Sequence, residues 1–245
     1  MTSRVANEAA LSGTGPVRRL VEALDDSALA LDLVRLQPGG RVVLAEPGGD
    51  RDLLLYAFEG SGALAIGDAP HDLPSDSAAL VLAGESAALE AGASGLAAVC
   101  ARVGPDVDLH APLGERAVVV SLHDIESDRA TGARSFEIPL GPHVGSTRAT
   151  LFVGHVPPGK APWHYHLYDE IVWIPAGPGR VHVGDDVEDL VAGSAFRLRP
   201  REVHIVENAS DEREMALVGV FTPAGSPSAA YLTEDVAAEY RFSGE

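Results

Sequence analysis

The sequence predicts an all-β chain made of two barrels. Three observations carry that reading: short apolar runs broken by glycine, proline and aspartate, turn residues that recur at one fixed interval, and two histidines spaced as a strand spaces them. At 245 residues with 46% hydrophobic content, the chain can bury a core for each half.

Residues 1–16 are small and polar, with no apolar signal core, and read as a flexible N-terminal tail. Val17, Leu20, Val21 and Leu24 fall at helical spacing, so a short helix is expected there. Strand-like runs follow at 31–36, ending at Pro38-Gly39-Gly40, and at 41–45. Residues 53–58 end at Glu59-Gly60-Ser61-Gly62, read as hairpin punctuation, and 63–66, 79–82 and 96–103 complete the set. Many short strands with regular turn signals indicate an antiparallel sandwich or barrel.

The second half repeats this plan. Gly60, Gly62, Gly67 and Asp68 recur as Gly177, Gly179, Gly184 and Asp185, each displaced by 117. At that interval Leu73 matches Leu190, Ser77-Ala78 matches Ser194-Ala195, Glu85 matches Glu202 and Glu90 matches Glu207. Pro38-Gly39 matches Pro158-Gly159 at 120, a three-residue loop difference. The expected layout is therefore one barrel over 17–103, a linker and strand-exchange region over 104–146, and a second barrel over 147–245.

The chemistry is concentrated in 159–208. His164 and His166 share a strand face because side chains alternate with period two, and Glu170 lies four residues beyond. His204 sits in another strand-like run, 201–206. Three imidazoles and a carboxylate converging in β-structure make a site for a divalent first-row metal and leave two positions of an octahedral ion open to substrate or oxygen. Manganese, iron, nickel, cobalt, copper and zinc all tolerate the set. Subtracting 117 from these four positions gives Pro47, Gly49, Leu53 and Ala87. None has a ligating side chain, so the first barrel is expected to have no metal site.

These residues resemble the two motifs of the cupin superfamily. Gly159, His164, His166, Glu170 and Gly177 follow the first motif, with four residues instead of five after the first glycine; Gly193, His204 and Asn208 hold their places in the second. Arg199 stands at the proline position, Pro200 one later, and Arg201 where the family has glycine, whereas the first copy keeps Gly84 there. The resemblance implies a bicupin: two double-stranded β-helix (jelly-roll) barrels in one chain, with metal only in the C-terminal one.

Strand parity adds further positions. Asn208 shares the face of His204, and Val172 and Ile174 share that of Glu170. Tyr168 lies in the bend before Glu170, and His155, His182, Arg197 and Arg199 lie on flanking strands, where an arginine can clamp a substrate carboxylate. Trp163 and Tyr165 have the opposite parity and are expected outside. His71, His110, His123 and His143 sit in turn-like segments.

The formal charge of −18 argues against nucleic acid and anionic membranes as partners, and no run is long and apolar enough to span a bilayer. Cys100 is the single cysteine, set among apolar neighbours, which suits a reducing, cytoplasmic compartment and a core position. The expected partner is a small-molecule substrate, and a homodimer is compatible with the sequence. No serine elbow, phosphate loop or Cys-x-x-Cys competes with the metal site. Cupins with this ligand type imply dioxygenases, decarboxylases, isomerases, lyases and aminohydrolases. A metal-dependent dioxygenase, an oxidoreductase, is the leading expectation; an aminohydrolase, isomerase or lyase of the bicupin type and a non-catalytic binding or sensor module are the alternatives.

Overall fold

The computed structural model describes residues 3–22, 28–130 and 133–232. Among them the chain is all β apart from three 3-10 turns, at Glu8–Ala10, Leu122–Asp124 and Pro142–Val144. Two barrels pack side by side.

The first barrel is one continuous eight-stranded sheet dominated by Asp52–Ile66 and Ala87–Val103, paired along their length. The turn expected at 59–62 is instead the middle of one strand. Register shifts fall between Ala57 and Glu59 and between Gly60 and Gly62. A Cβ at Gly60 would fall on the carbonyl oxygen of Gly95, and one at Gly62 on that of Glu90. These glycines therefore let a sharply bent strand stay paired; they do not end it.

The helix expected from Val17 is absent as well. Val17–Val21 is a strand antiparallel to Leu29–Leu36, with Val17 opposite Val34; Leu24 lies outside the described residues. Its valines gain more from ladder pairing than from a short isolated helix. Residues 3–16, expected as a tail, are tied to the far barrel. Ala6–Asn7 pairs with Ser194–Leu198, Arg4 forms an ion pair with Glu202 at 2.8 Å, and the Arg4 amide donates to Glu188 at 2.7 Å.

The second barrel has a seven-stranded and a six-stranded sheet, and the 117-residue displacement survives in its element boundaries. Ser77–Val81 corresponds to Ser194–Leu198, and Ala87 and His204 open equivalent strands. Gly67 and Gly184 have φ of 57° and 56°. Glu85 accepts from the Leu82 amide and Glu202 from the Arg199 amide, both at 2.8 Å, and each carboxylate also binds an arginine, Arg116 and Arg4 respectively. Between the barrels, Val119–Ser121 pairs with the first and Ser135–Leu140 with the second.

Each barrel has its own interior core, and a third core joins them: Leu31, Leu33, Leu54 and Val99 meet Leu151, Ile171, Trp173 and Val220. Phe58 stacks on Trp173 across this joint at 4.5 Å. Each buried leucine or valine contributes about 1.5–3 kcal/mol. Cys100 is buried in the first core, and burial pushes its thiol pKa up to about 12, so it is an inert packing group. No helix among the described residues is long and apolar enough to cross a membrane.

Candidate metal centre

The strand His164–His166 lies between His204–Asn208 and Ala230–Leu232, with His164 directly opposite His204. Cross-strand neighbours on one face stand close enough for their side chains to meet. The His164 and His204 rings are 4.3 Å apart, and His166 and His204 4.9 Å. Glu170, at the start of Asp169–Ile174, brings Oε2 to 2.8 Å from His166 Nε2. All four side chains are buried.

The three histidines share one local device. His164 Nδ1 meets the carbonyl of Pro162 at 2.9 Å, His166 Nδ1 that of Tyr168 at 2.9 Å, and His204 Nδ1 that of Glu202 at 2.8 Å. A carbonyl oxygen only accepts, so each Nδ1 carries the proton and each neutral ring presents Nε2 as a lone pair. Burial pushes the pKa of His164 down to about 4 and that of His204 well below its ordinary value, the latter helped by the charges of His164 and His166. Neutral, oriented imidazoles whose other nitrogen is tied to the backbone are what metal ligation requires.

His166 Nε2 is buried without a hydrogen bond: with the ring proton on Nδ1 it has none to give the Glu170 carboxylate 2.8 Å away, and two lone-pair donors face each other. This orphaned atom fits a shared metal better than a direct imidazole–carboxylate bond. Among the described residues no three His, Cys, Asp or Glu side chains are placed so that they could hold a metal ion as they stand. The tautomers and the orphaned nitrogen support the site, and metal entry would draw Glu170 away from His166.

The ligand candidates open onto a cavity of ≈ 90 Å³. Phe136, Phe152, Val172, Leu198, Val206 and Leu217 give it apolar walls. Tyr168 lies flat between His166 and Phe221, 4.0 Å from each, and its hydroxyl donates to Pro227 at 3.3 Å. Burial, reinforced by Glu170, pushes the Tyr168 pKa far up, so the hydroxyl keeps its proton. Arg134 also lines the cavity, and its charge acts on His164, Tyr168 and His204. Sequence reasoning missed Arg134, which sits in the apparent linker with no motif around it.

The other expected positions lie elsewhere. Asn208 donates to the carbonyls of Val156 and Arg213 and accepts from the Ser210 amide, clipping a turn outside the cavity wall. His155 borders the cavity on its backbone strand, while its ring bridges Glu137 at 2.7 Å and Glu214 at 3.1 Å. His182 bonds Glu207 at 2.6 Å and meets the edge of Trp163. Arg197 is buried against Asp169 and donates to the Leu29 carbonyl, joining the barrels, and Arg199 is exposed. Tyr165 stacks on Tyr231, away from the cavity, and Ile174 packs in the core.

Arg201 has φ 67°, the left-handed backbone that Gly84 adopts at φ 91° in the first barrel. The arginine thus keeps the glycine conformation, at a cost of about 1–2 kcal/mol, and its amide donates to the His166 carbonyl at 2.7 Å. In the first barrel, Leu53 and Ala87, at the positions of Glu170 and His204, are buried in the apolar core.

Residues 152–221, within the second barrel, match the family model of the cupin domain. Among solved structures, a variant of the Bacillus subtilis oxalate decarboxylase superposes with a TM-score of 0.77 at 14% identity, covering 97% of this chain and 81% of that one. A Lactobacillus farciminis oxalate decarboxylase formate complex gives 0.78 at 13% identity, covering 98% and 91%. A Bacillus subtilis oxalate decarboxylase structure described for its Mn(II) centres gives 0.76 at 15%, covering 100% and 85%. The chain shares the two-barrel cupin fold of these proteins. No match was found among curated protein sequences.

Proposed function

We propose that this cupin-fold chain is a metal-dependent enzyme in which His164, His166, His204 and Glu170 hold one divalent first-row ion, and that it acts on a small carboxylate. The observation that carries this reading is the shared Nδ1 tether, which leaves three buried Nε2 lone pairs beside one carboxylate. The bound ion would polarise a chelating substrate and, if redox-active, exchange an electron with it. The Mn(II) centres of the Bacillus subtilis oxalate decarboxylase make manganese the first ion to test.

The substrate class follows from the cavity. A volume of ≈ 90 Å³ suits a molecule of a few heavy atoms. Arg134 supplies the charge complementary to a carboxylate. The Tyr168 ring fixes the plane of His166, and its hydroxyl is anchored on the Pro227 carbonyl. The phenylalanine and aliphatic walls exclude water, which strengthens the attraction to Arg134.

Size and charge favour a small acid, and the structural likeness to oxalate decarboxylases makes decarboxylation the reaction to test ahead of the dioxygenase first expected. Metal-loaded protein given oxalate, malonate and small α-keto acids should release carbon dioxide without stoichiometric oxygen uptake. Oxygen uptake on the same acids would support the dioxygenase, and ammonia release from small ureido compounds the aminohydrolase. Tight binding without turnover would favour a sensor module and overturn the enzymatic reading.

A further inference from the structure

The mouth of the first barrel carries a charged cluster that the metal reading leaves unexplained. Inside this barrel Val34 and Leu36, Leu53 and Leu55, and Ala98 and Cys100 face the core. Two residues outward along each run, where side chains return to the same face, stand Asp32, Arg51 and Arg102. Arg19, two residues from Val17, joins them, and Val17, Arg19, Asp32, Arg51 and Arg102 line one pocket.

The repeat identifies this place. The strand containing Asp32 corresponds to Thr150–Val156 at the interval of 120, Arg51 corresponds to Tyr168 at 117, and the pair Asp52–Val103 corresponds to Asp169–Thr222. Asp32, Arg51 and Arg102 therefore occupy the positions of Phe152, Tyr168 and Phe221. In the second barrel those three rings pack together beside the metal cavity, at 4.0 Å for Tyr168–Phe221 and 6.0 Å for Phe152–Phe221. The same end is aromatic in one barrel and ionic in the other.

The ionic version is preorganised. Asp32 is 2% exposed; one of its oxygens accepts from Arg19 Nε and the other from Arg102 Nε, the latter at 2.6 Å. Nη1 of Arg102 is held by the Leu44 carbonyl and Nη1 of Arg19 by Glu22, both at 3.1 Å. Among the described residues Arg51 makes no closer ion pair than 3.9 Å, to Asp50. One buried carboxylate thus orients two guanidinium groups while a third stands beside them unbraced. Glu22 and Asp50 are exposed carboxylates that a ligand can displace, with 76% and 68% of their side-chain surface open. The net charge of −18 repels anions at long range, but salt screens that field beyond about 8 Å, so the pocket lining, with three arginines to one aspartate, decides.

We propose that the mouth of the first barrel binds a small oxyanion or carboxylate on Arg19, Arg51 and Arg102, with Asp32 as the buried brace. Planar guanidinium forks match both ligand types. The site is independent of the metal centre.

Calorimetric titration of the metal-loaded full chain with inorganic phosphate, and separately with malonate, tests this at constant ionic strength. Saturable binding of either anion is expected. Arg51→Gln removes a half-exposed group outside the Asp32 brace, so it should fold normally and bind about tenfold more weakly, the loss of one charge-assisted contact of about 1.4 kcal/mol. His204→Ala should leave phosphate binding unchanged, and the malonate binding that survives it is the first-barrel component. No saturable binding of either anion, or wild-type affinity in Arg51→Gln, overturns the proposal. Binding lost in His204→Ala but kept in Arg51→Gln would assign the anion to the metal centre and overturn it as well.

Discussion

His204→Ala gives the sharpest test of the metal centre. The side chain is buried, presents Nε2 to the cluster and donates Nδ1–H to the Glu202 carbonyl. Its loss has two parts. The metal-independent part, a lost hydrogen bond and a small cavity, costs about 1–3 kcal/mol. The metal-dependent part is measured by the melting shift on adding manganese. A ligand at a hundredfold its Kd stabilises by about 2.7 kcal/mol. For 245 residues, a melting entropy of about 2.1 cal/mol/K per residue converts this to a rise of about 5 °C. Scanning calorimetry with and without metal should show that rise in the wild type and less than a tenth of it in His204→Ala. His182→Ala is the control, a buried histidine bonded to Glu207 away from the cavity, and should keep the full rise. An undiminished rise in His204→Ala, or its loss in His182→Ala, would refute the ligand assignment.

Three further outcomes are expected. Arg201→Gly relieves left-handed backbone strain at φ 67° and, after the extra freedom of an unfolded glycine, should raise stability by about 0.5–1 kcal/mol in urea unfolding without altering metal content. Arg197→Met removes the guanidinium that binds Asp169 and the Leu29 carbonyl at the barrel joint and should cost about 3–5 kcal/mol, while Arg199→Met at an exposed position should cost under about 0.5 kcal/mol by the same assay. Partial burial opposes ionisation of Glu188, but hydrogen bonds from Ser3 and from the Arg4 and Val5 amides outweigh it and hold its pKa below the ordinary value. A depressed folded pKa means that its stabilisation is complete above the unfolded value and is lost as pH falls through the folded one. Exchange protection of the Arg4 and Val5 amides should therefore collapse on acidification below about pH 4, and in Glu188→Gln it should already be weak at neutral pH.

The repeat was legible because turns and interior faces impose constraints that survive divergence. Gly67 and Gly184 recur because both backbones need positive φ, and Glu85 and Glu202 recur because both carboxylates cap the same loop. The clustering of His164, His166, His204 and Glu170 was legible because His-x-His on a strand fixes direction. Gly60 and Gly62 misled because a glycine that permits close strand approach looks, in sequence, like one that makes a turn. The strand Val17–Val21 was missed because its pairing partner begins eight residues downstream of its end and nothing local reports that ladder. Arg134 and the charged mouth of the first barrel were not legible, since both arise only when distant strands are brought to one end of a barrel.

The pairing of Ala6–Asn7 with Ser194–Leu198 has a consequence for the order of assembly. Asn7 leaves the ribosome 187 residues before its ladder partner Ser194. At about 5–20 residues per second, that is a wait of roughly ten to forty seconds. The first barrel can close during this interval, while the arm and the Glu202 carboxylate that receives Arg4 are still apart. Ala230–Leu232, which flanks the histidine strand, is made later still. Assembly of the histidine cluster is thus a late event in the birth of the chain, and the arm engages the second barrel only as the strands around those histidines are being made.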